Sequence, residues 1–341
     1  MESLPVEIQH DILLRLPLQS LFACSRVWRK LKTVICNEYF KNRYLLRSMT
    51  KPMDPTPDSF FDTACQKENH LVEWTRSAPT RGVVCLQAST SFLLCSAITN
   101  NVLRLPDIKW LGLTPERFFL GYDEATSSLK VLWPRIYSNP IVYTVSLGGE
   151  GSWREIACET YHMAIFSCAL CKGGVLYYPA KALPLCLEKS IVMCFNVNSE
   201  TFDCNQLPEG VSLPDDAPMV NYNGKVALVA TELQNTGEFE ICVRNEVSGE
   251  WELHQLVIPG WRDNVGNDVM FSFVGTIGTG ELVFTAPDSL HDGSESVLHY
   301  NTNPPQGKKK FKMFSVEAVN GGSYHYVRAC LDHFDSLFRT N

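Results

Sequence analysis

The feature that most limits how this 341-residue chain can fold is a unit of about fifty residues that recurs along it. One copy runs from Ala164 to Pro208. An apolar strand leads through Gly173-Gly174 into Val175-Leu176-Tyr177-Tyr178, then Ile191–Val197, the turn Asn198-Ser199-Glu200 and the strand Phe202–Leu207. The next copy repeats the plan with Met219–Tyr222, Asn223-Gly224, Lys225–Val229, Phe239–Val243, Ser248-Gly249 and Trp251–Leu256. Each copy is four strands in two hairpins, because Asn-Gly and Gly-Gly supply the positive φ angles that tight antiparallel turns need. The same plan fits Phe118–Ile156, Met270–Val316 and, more loosely, Gly82–Leu105.

The last-strand anchors Leu103, Trp153, Phe202, Trp251 and Phe311 are separated by 50, 49, 49 and 60 residues. Four short strands per fifty residues is the period of a kelch-like β-propeller. An all-β sandwich without radial repetition is the alternative. Since a ring must close to protect its strand edges, Asn69–Thr75 and Ser323–Ala329 are expected to build a sixth blade from both ends of the domain. Six blades are expected, with seven as the other count.

The first 46 residues follow a different period. Pro5 suits a first helical position and Glu7 the first turn. Ile8, Ile12 and Leu16 share a face at four-residue spacing until Pro17 ends the helix. Leu21, Cys24, Trp28, Leu31 and Ile35 continue at helical spacing with Arg26, Arg29, Lys30 and Lys32 between them, which predicts two further helices. So small a unit cannot bury all its apolar surface by itself. Some of it needs a partner.

Leu4-Pro5-x-Glu7, Ile12-Leu13-x-Arg15-Leu16-Pro17, Leu21 and Cys24–Leu31 resemble an F-box, the motif by which substrate receptors dock on the Skp-type adaptor of cullin-based ubiquitin ligases. The resemblance implies that Leu4, Pro5, Ile8, Ile12, Leu13, Leu16, Pro17, Leu21 and Trp28 bind that adaptor. Phe119–Thr126, Lys130-Val131-Leu132 and Ser152–Ile156 resemble the F-box-associated, kelch-type region of plant F-box proteins. The expected architecture is therefore α+β and multidomain: a three-helix F-box at 1–46, a proline-broken linker at 47–68 and an all-β propeller at 69–335.

Charge agrees with this division. Residues 1–51 hold nine Lys or Arg against four Asp or Glu, a net +5, whereas the remaining 290 residues carry −12. The basic head suits an acidic adaptor, and the acidic body disfavours nucleic acid, whose affinity comes mainly from neutralised phosphates. No apolar run is long enough to span a bilayer, so the chain is expected in the cytoplasm, the nucleus or both, away from membranes. The thirteen cysteines lie mostly in apolar runs and read as reduced core residues.

Turn lengths locate a binding face. If the tight turns join first to second and third to fourth strands, the longer connections collect on the opposite face. Those connections are 110–115, 134–140, 160–163, 179–189, 209–218, 232–238, 259–267 and 287–295. They carry Arg135, Tyr137, Tyr161, Lys181, Trp261 and Arg262, and Tyr, Trp and Arg dominate binding energy at interfaces. These six are the candidate residues for a protein substrate.

Catalytic signals are weak. Cys168 and Cys171 have zinc-like spacing without a second pair, His162 and His291 stand beside no nucleophile frame, and the glycine pairs are hairpin turns, not phosphate loops. Lys308-Lys309-Lys310 reads as a solvated loop before it reads as a nuclear-import patch. No catalysis, metal or cofactor is expected. A substrate receptor is the leading reading; a propeller enzyme, or a kelch-like interaction protein outside any ligase, is the alternative.

Overall fold

The computed structural model describes Gln9, Ile12, Leu13 and Val34 and, in segments, the residues between Thr75 and Glu317. Gln9, Ile12, Leu13 and Val34 are helical, and the rest of the three helices expected over 1–46 lies outside the described residues. The other described elements are twenty-one strands and one five-residue helix.

The strands form five sheets in chain order. Blade one is β1 (Thr75–Arg76), β2 (Val83–Ala88), β3 (Ser91–Ser96) and β4 (Asn101–Arg104); blade two is β5 (Phe119–Asp123), β6 (Ser128–Trp133), β7 (Ile141–Val145) and β8 (Trp153–Glu155). Blade three holds β9 (His162–Ala164), β10 (Leu170–Lys172), β11 (Val175–Ala182), β12 (Ser190–Asn196) and β13 (Phe202–Gln206). Blade four is β14 (Met219–Tyr222), β15 (Lys225–Leu233), β16 (Glu238–Arg244) and β17 (Trp251–Val257). Blade five is β18 (Ser272–Thr276), β19 (Leu282–Ala286), β20 (Ser294–Tyr300) and β21 (Phe311–Glu317). Every neighbouring pair within a blade is antiparallel. Blade three divides its inner strand: β10 pairs with the first half of β11 and β9 with the second.

First strands of successive blades lie beside one another, β5 by β10, β10 by β14 and β14 by β18, which makes them the inner strands of a β-propeller. Between the blades lie four apolar layers. One, between blades four and five, holds Phe239, Trp261, Phe273, Phe284, Leu298 and Tyr300.

The period near fifty has a physical origin. Trp153, Phe202, Trp251 and Phe311 open the outermost strands of their blades, and Leu103 is the third residue of β4; β17 buries Trp251 and exposes the next four residues. The anchor covers the rim of its blade's core by sitting opposite a bulky neighbour in register. Tyr143 faces Trp153 with ring centroids 5.0 Å apart, Phe195 faces Phe202 at 4.9 Å and Tyr300 faces Phe311 at 4.9 Å. Cross-strand aromatic pairs of this kind stabilise a sheet beyond their buried area.

Two expectations need revision. Thr75, assigned from sequence to a sixth blade, pairs with Gln87 and belongs to the inner strand of blade one. The five blades are those of the described residues; Asn69–Trp74 and Ser323–Ala329 lie outside them, and with them the sixth or seventh blade. The connections at 179–189, 232–238 and 287–295 are shorter than expected, because β11 runs on to Ala182, β15 to Leu233 and β20 begins at Ser294.

Candidate functional site

Tight turns and long connections separate only in part: the ten-residue connection from β20 to β21 lies on the same end as most tight turns, and the two-residue connection from β2 to β3 lies on the other. The short turns after β10, β12, β14, β16 and β18 each join strands one to two or three to four, so they share one end of the blades. Positive φ at Gly173 and Gly174 (58° and 73°) and at Asn223 and Gly224 (50° and 79°) supplies the twist of two-residue hairpins.

The short-turn face is stitched from blade to blade. Lys130 of β6, whose side chain is only 7% exposed, donates to the Val197 carbonyl and pairs with Glu200 at 2.9 Å in the turn of blade three. Arg154 of β8 binds the same Glu200 oxygen. Burial pushes the Glu200 carboxyl up, but the hydrogen bonds and charges of Arg154 and Lys130 outweigh it and hold the pKa below its usual value. One blade further on, Lys172 donates to the Gly224 carbonyl and pairs with Glu246 at 3.0 Å, and the Asn223 N–H donates to Thr276 Oγ1 at 3.2 Å. These contacts tie blade two to blade three, blade three to blade four and blade four to blade five.

The long-connection face is built differently, and it sorts the six candidates. Arg135 is buried: its Nε donates to the Asn139 carbonyl at 2.6 Å and its guanidinium binds Glu155 Oε1 at 2.7 Å. It ties the base of the 134–140 loop to the outer strand β8, so it positions the loop and is not presented to a client. Beside it Ile136 and Tyr137 project into solvent, Tyr137 at 69% exposure with φ of 60°. Tyr161 is likewise 54% exposed, while its own carbonyl accepts the Leu183 N–H at 3.0 Å. The adjacent His162 is buried between the Thr160 carbonyl (2.8 Å) and Tyr178 Oη (2.9 Å), and that burial lowers its pKa. Both tyrosines thus stand on backbone fixed by buried neighbours.

Trp261 corrects the sequence reading outright. It is 3% exposed, packed edge-on against Phe239, Phe271 and Phe284 at 5.6, 6.0 and 5.0 Å. A Cβ on Gly237 would lie 2.5 Å from the Cβ of Trp261, so the backbone at Gly237 presses on it directly. Trp261 and Val265 are the two buried ends of the short helix Trp261–Val265, which leaves Arg262, Asp263 and Asn264 exposed. Lys181 is no loop residue either: it lies in β11, opposite Met163 and Ser190. Of the six, Tyr137, Tyr161 and Arg262 are presented to solvent. Sequence reasoning did not single out Ile136, although its place between Pro134 and Pro140 marks it as a loop-tip residue.

In the head, Leu13 is fully buried and Ile12 is 38% exposed. Leu4, Pro5, Ile8, Leu16, Pro17, Leu21 and Trp28 lie outside the described residues. The described cysteines are free thiols; burial first, and then the nearby negative charges of Asp203 and Glu240, push Cys194 up to about 12 and Cys242 to about 11. Such thiols stay protonated at neutral pH and are poor nucleophiles. Among the described residues no cluster of His, Cys, Asp or Glu could hold a metal ion, and no helix is long and apolar enough to cross a membrane.

Five successive blades of four or five strands, with inner strands side by side and charges stitched from blade to blade, define a β-propeller protein. The chain belongs to the F-box proteins with an F-box associated beta propeller domain: that domain's family model matches residues 33–334, and the F-box domain's matches residues 1–43. Two putative F-box proteins of Arabidopsis thaliana are each 34% identical to it, over 99% of this chain and 98% of their own length. An F-box/kelch-repeat protein of the same plant is 26% identical over 98% of this chain and 92% of its own.

Proposed function

We propose that this protein is the substrate-recognition subunit of a Skp–cullin–F-box ubiquitin ligase, in which the head docks on a Skp-type adaptor and the long-connection face of the propeller holds a protein client. The observation that carries this reading is the pairing of the two family domains in one chain, residues 1–43 and 33–334. The rate of client modification then comes from proximity: the client is held near a ubiquitin-charged enzyme carried elsewhere in the assembly, and this chain breaks no bond itself. The basic head, +5 over residues 1–51, complements an acidic adaptor. Such a complex would work in the cytoplasm, the nucleus or both.

The client side rests on Ile136, Tyr137, Tyr161 and Arg262. Exposed aromatic and arginine side chains on fixed backbone lose little entropy on binding and so return more of their contact energy as affinity. The test is proximity labelling in cells under proteasome inhibition, comparing the wild-type chain with Tyr137→Ser/Tyr161→Ser/Arg262→Glu. The variant should keep its adaptor and lose its enriched clients by at least tenfold. An unchanged client profile would remove this face from the account.

A further inference from the structure

Of the described histidines, His162 is the most buried, at 2% exposure, and it directly follows the exposed Tyr161. Its surroundings fix where its hydrogen sits. The Thr160 carbonyl, 2.8 Å from Nδ1, can only accept, so Nδ1 carries the hydrogen. In the neutral ring Nε2 is then an acceptor, and the Tyr178 hydroxyl, 2.9 Å away, donates to it. Burial lowers the pKa of His162 from its ordinary 6.5, against the Thr160 carbonyl, which favours the charged ring, so the neutral tautomer prevails at neutral pH.

This pair ties Tyr161 to the interior of two blades. The Thr160 carbonyl also accepts the Cys158 thiol at 3.3 Å, and the Tyr161 carbonyl accepts the Leu183 N–H at 3.0 Å, so the backbone is pinned just before Tyr161 and at it. Behind His162, Tyr178 of β11 is fully buried and stacks on Phe119 of blade two with ring centroids 4.7 Å apart. Among the described residues Nε2 is the one hydrogen-bond partner of the Tyr178 hydroxyl.

A proton on Nε2 sets a donor against a donor. The hydroxyl can accept it only by turning its own hydrogen into an apolar wall formed by Phe119, Leu132, Val142 and Ile156, where an unpaired O–H is costly. The titratable groups around the pair are the thiols of Cys158, Cys194 and Cys204, which burial keeps neutral, with Glu159 beside Cys158 and Lys189 near Cys204. Lys181 alternates with the residue opposite His162 and points to the other face of β11. Among the described residues no carboxylate pairs with the ring to compensate a buried positive charge.

We infer that His162 and Tyr178 are positioning residues for Tyr161: the neutral pair holds the tyrosine on the client face, and protonation of His162 releases it. This rests on the client-binding reading of that face. The latch is complete above pH 6.5 and opens as pH falls through the lower, folded value.

The test is NMR of the full-length chain carrying isotope-labelled tyrosine, in which the Tyr161 resonance is identified by its loss in Tyr161→Phe. In wild type that resonance should shift on acidification with a midpoint below pH 6.5, while circular dichroism shows the chain still folded. Tyr178→Phe keeps the ring on Phe119 but removes the donor that favours neutral His162, so the midpoint should rise. His162→Gln should abolish the shift and Glu159→Gln should keep it; if His162→Gln does not fold, the Tyr178→Phe midpoint decides. In cells, His162→Gln should reproduce the client loss of Tyr161→Ser. A resonance that ignores pH, or a midpoint unchanged in Tyr178→Phe, would overturn the proposal, and so would a His162→Gln chain that keeps clients which Tyr161→Ser loses. If Tyr161→Ser itself keeps every client, the reading of the face falls, and the latch is judged by the resonance alone.

Discussion

Replacing Trp261 by alanine is expected to lower the stability of the propeller by about 3–5 kcal/mol, the range for emptying a buried aromatic site. Its ring is shared by Phe239, Phe271 and Phe284, and Gly237 closes over it. Arg262→Ser, one residue along and solvent-facing, should change stability by less than about 0.5 kcal/mol. Urea unfolding of both variants reads the difference. A Trp261→Ala protein as stable as wild type but unable to hold clients would return this tryptophan to the binding surface and remove it from the core between blades four and five.

Glu200→Ala has the next largest expected effect, because it strands a buried charge. Lys130 would keep only the Val197 carbonyl, in a site where its side chain is 7% exposed. Breaking a buried pair from one side costs about 3 kcal/mol at the lower end of the usual range. Lys130→Met should cost less, about 1 kcal/mol, since the Glu200 left behind still holds Arg154, whose side chain is 46% exposed, and the methionine packs where the lysine stem lay. The pH dependence follows from the lowered Glu200 pKa. A carboxyl whose folded pKa is depressed adds stability that is fully present above its unfolded value, near 4.5, and lost as pH falls through the folded value. Wild-type stability should therefore fall more steeply below about pH 4.5 than that of Glu200→Ala, as measured by chemical denaturation at stepped pH. Parallel profiles would show that the turn of blade three is not held by this carboxylate.

Much of the architecture was readable because it depends on local rules. Hairpin glycines and asparagines fixed the turns, and the anchors Leu103, Trp153, Phe202, Trp251 and Phe311 all fall on outermost strands where the fifty-residue period puts them. The proposed binding face was less readable for a specific reason. Loop position alone does not tell a presented side chain from one folded inward. Arg135 and Trp261 lie in connections, yet Arg135 reaches back to Glu155, twenty residues away, and Trp261 fills a gap between two blades. The first contact forms only when the strands of blade two assemble, and the second only when blades four and five pack together. A helical reading of 261–265 would have helped with the second, because Trp261 and Val265 lie four apart with three polar residues between them, the spacing of a buried stripe. Lys181 falls in a strand and not in the expected connection because β11 continues through Pro179 to Ala182.

The account depends most on the chain joining an adaptor to a client, and the direct test is binding of the purified full-length chain to a purified Skp-type adaptor, followed by titration calorimetry. Wild type and the Tyr137→Ser/Tyr161→Ser/Arg262→Glu variant should both form a one-to-one complex, and Leu16→Ala/Trp28→Ala should form none. No complex with the wild-type chain, or one that survives loss of both Leu16 and Trp28, would contradict it.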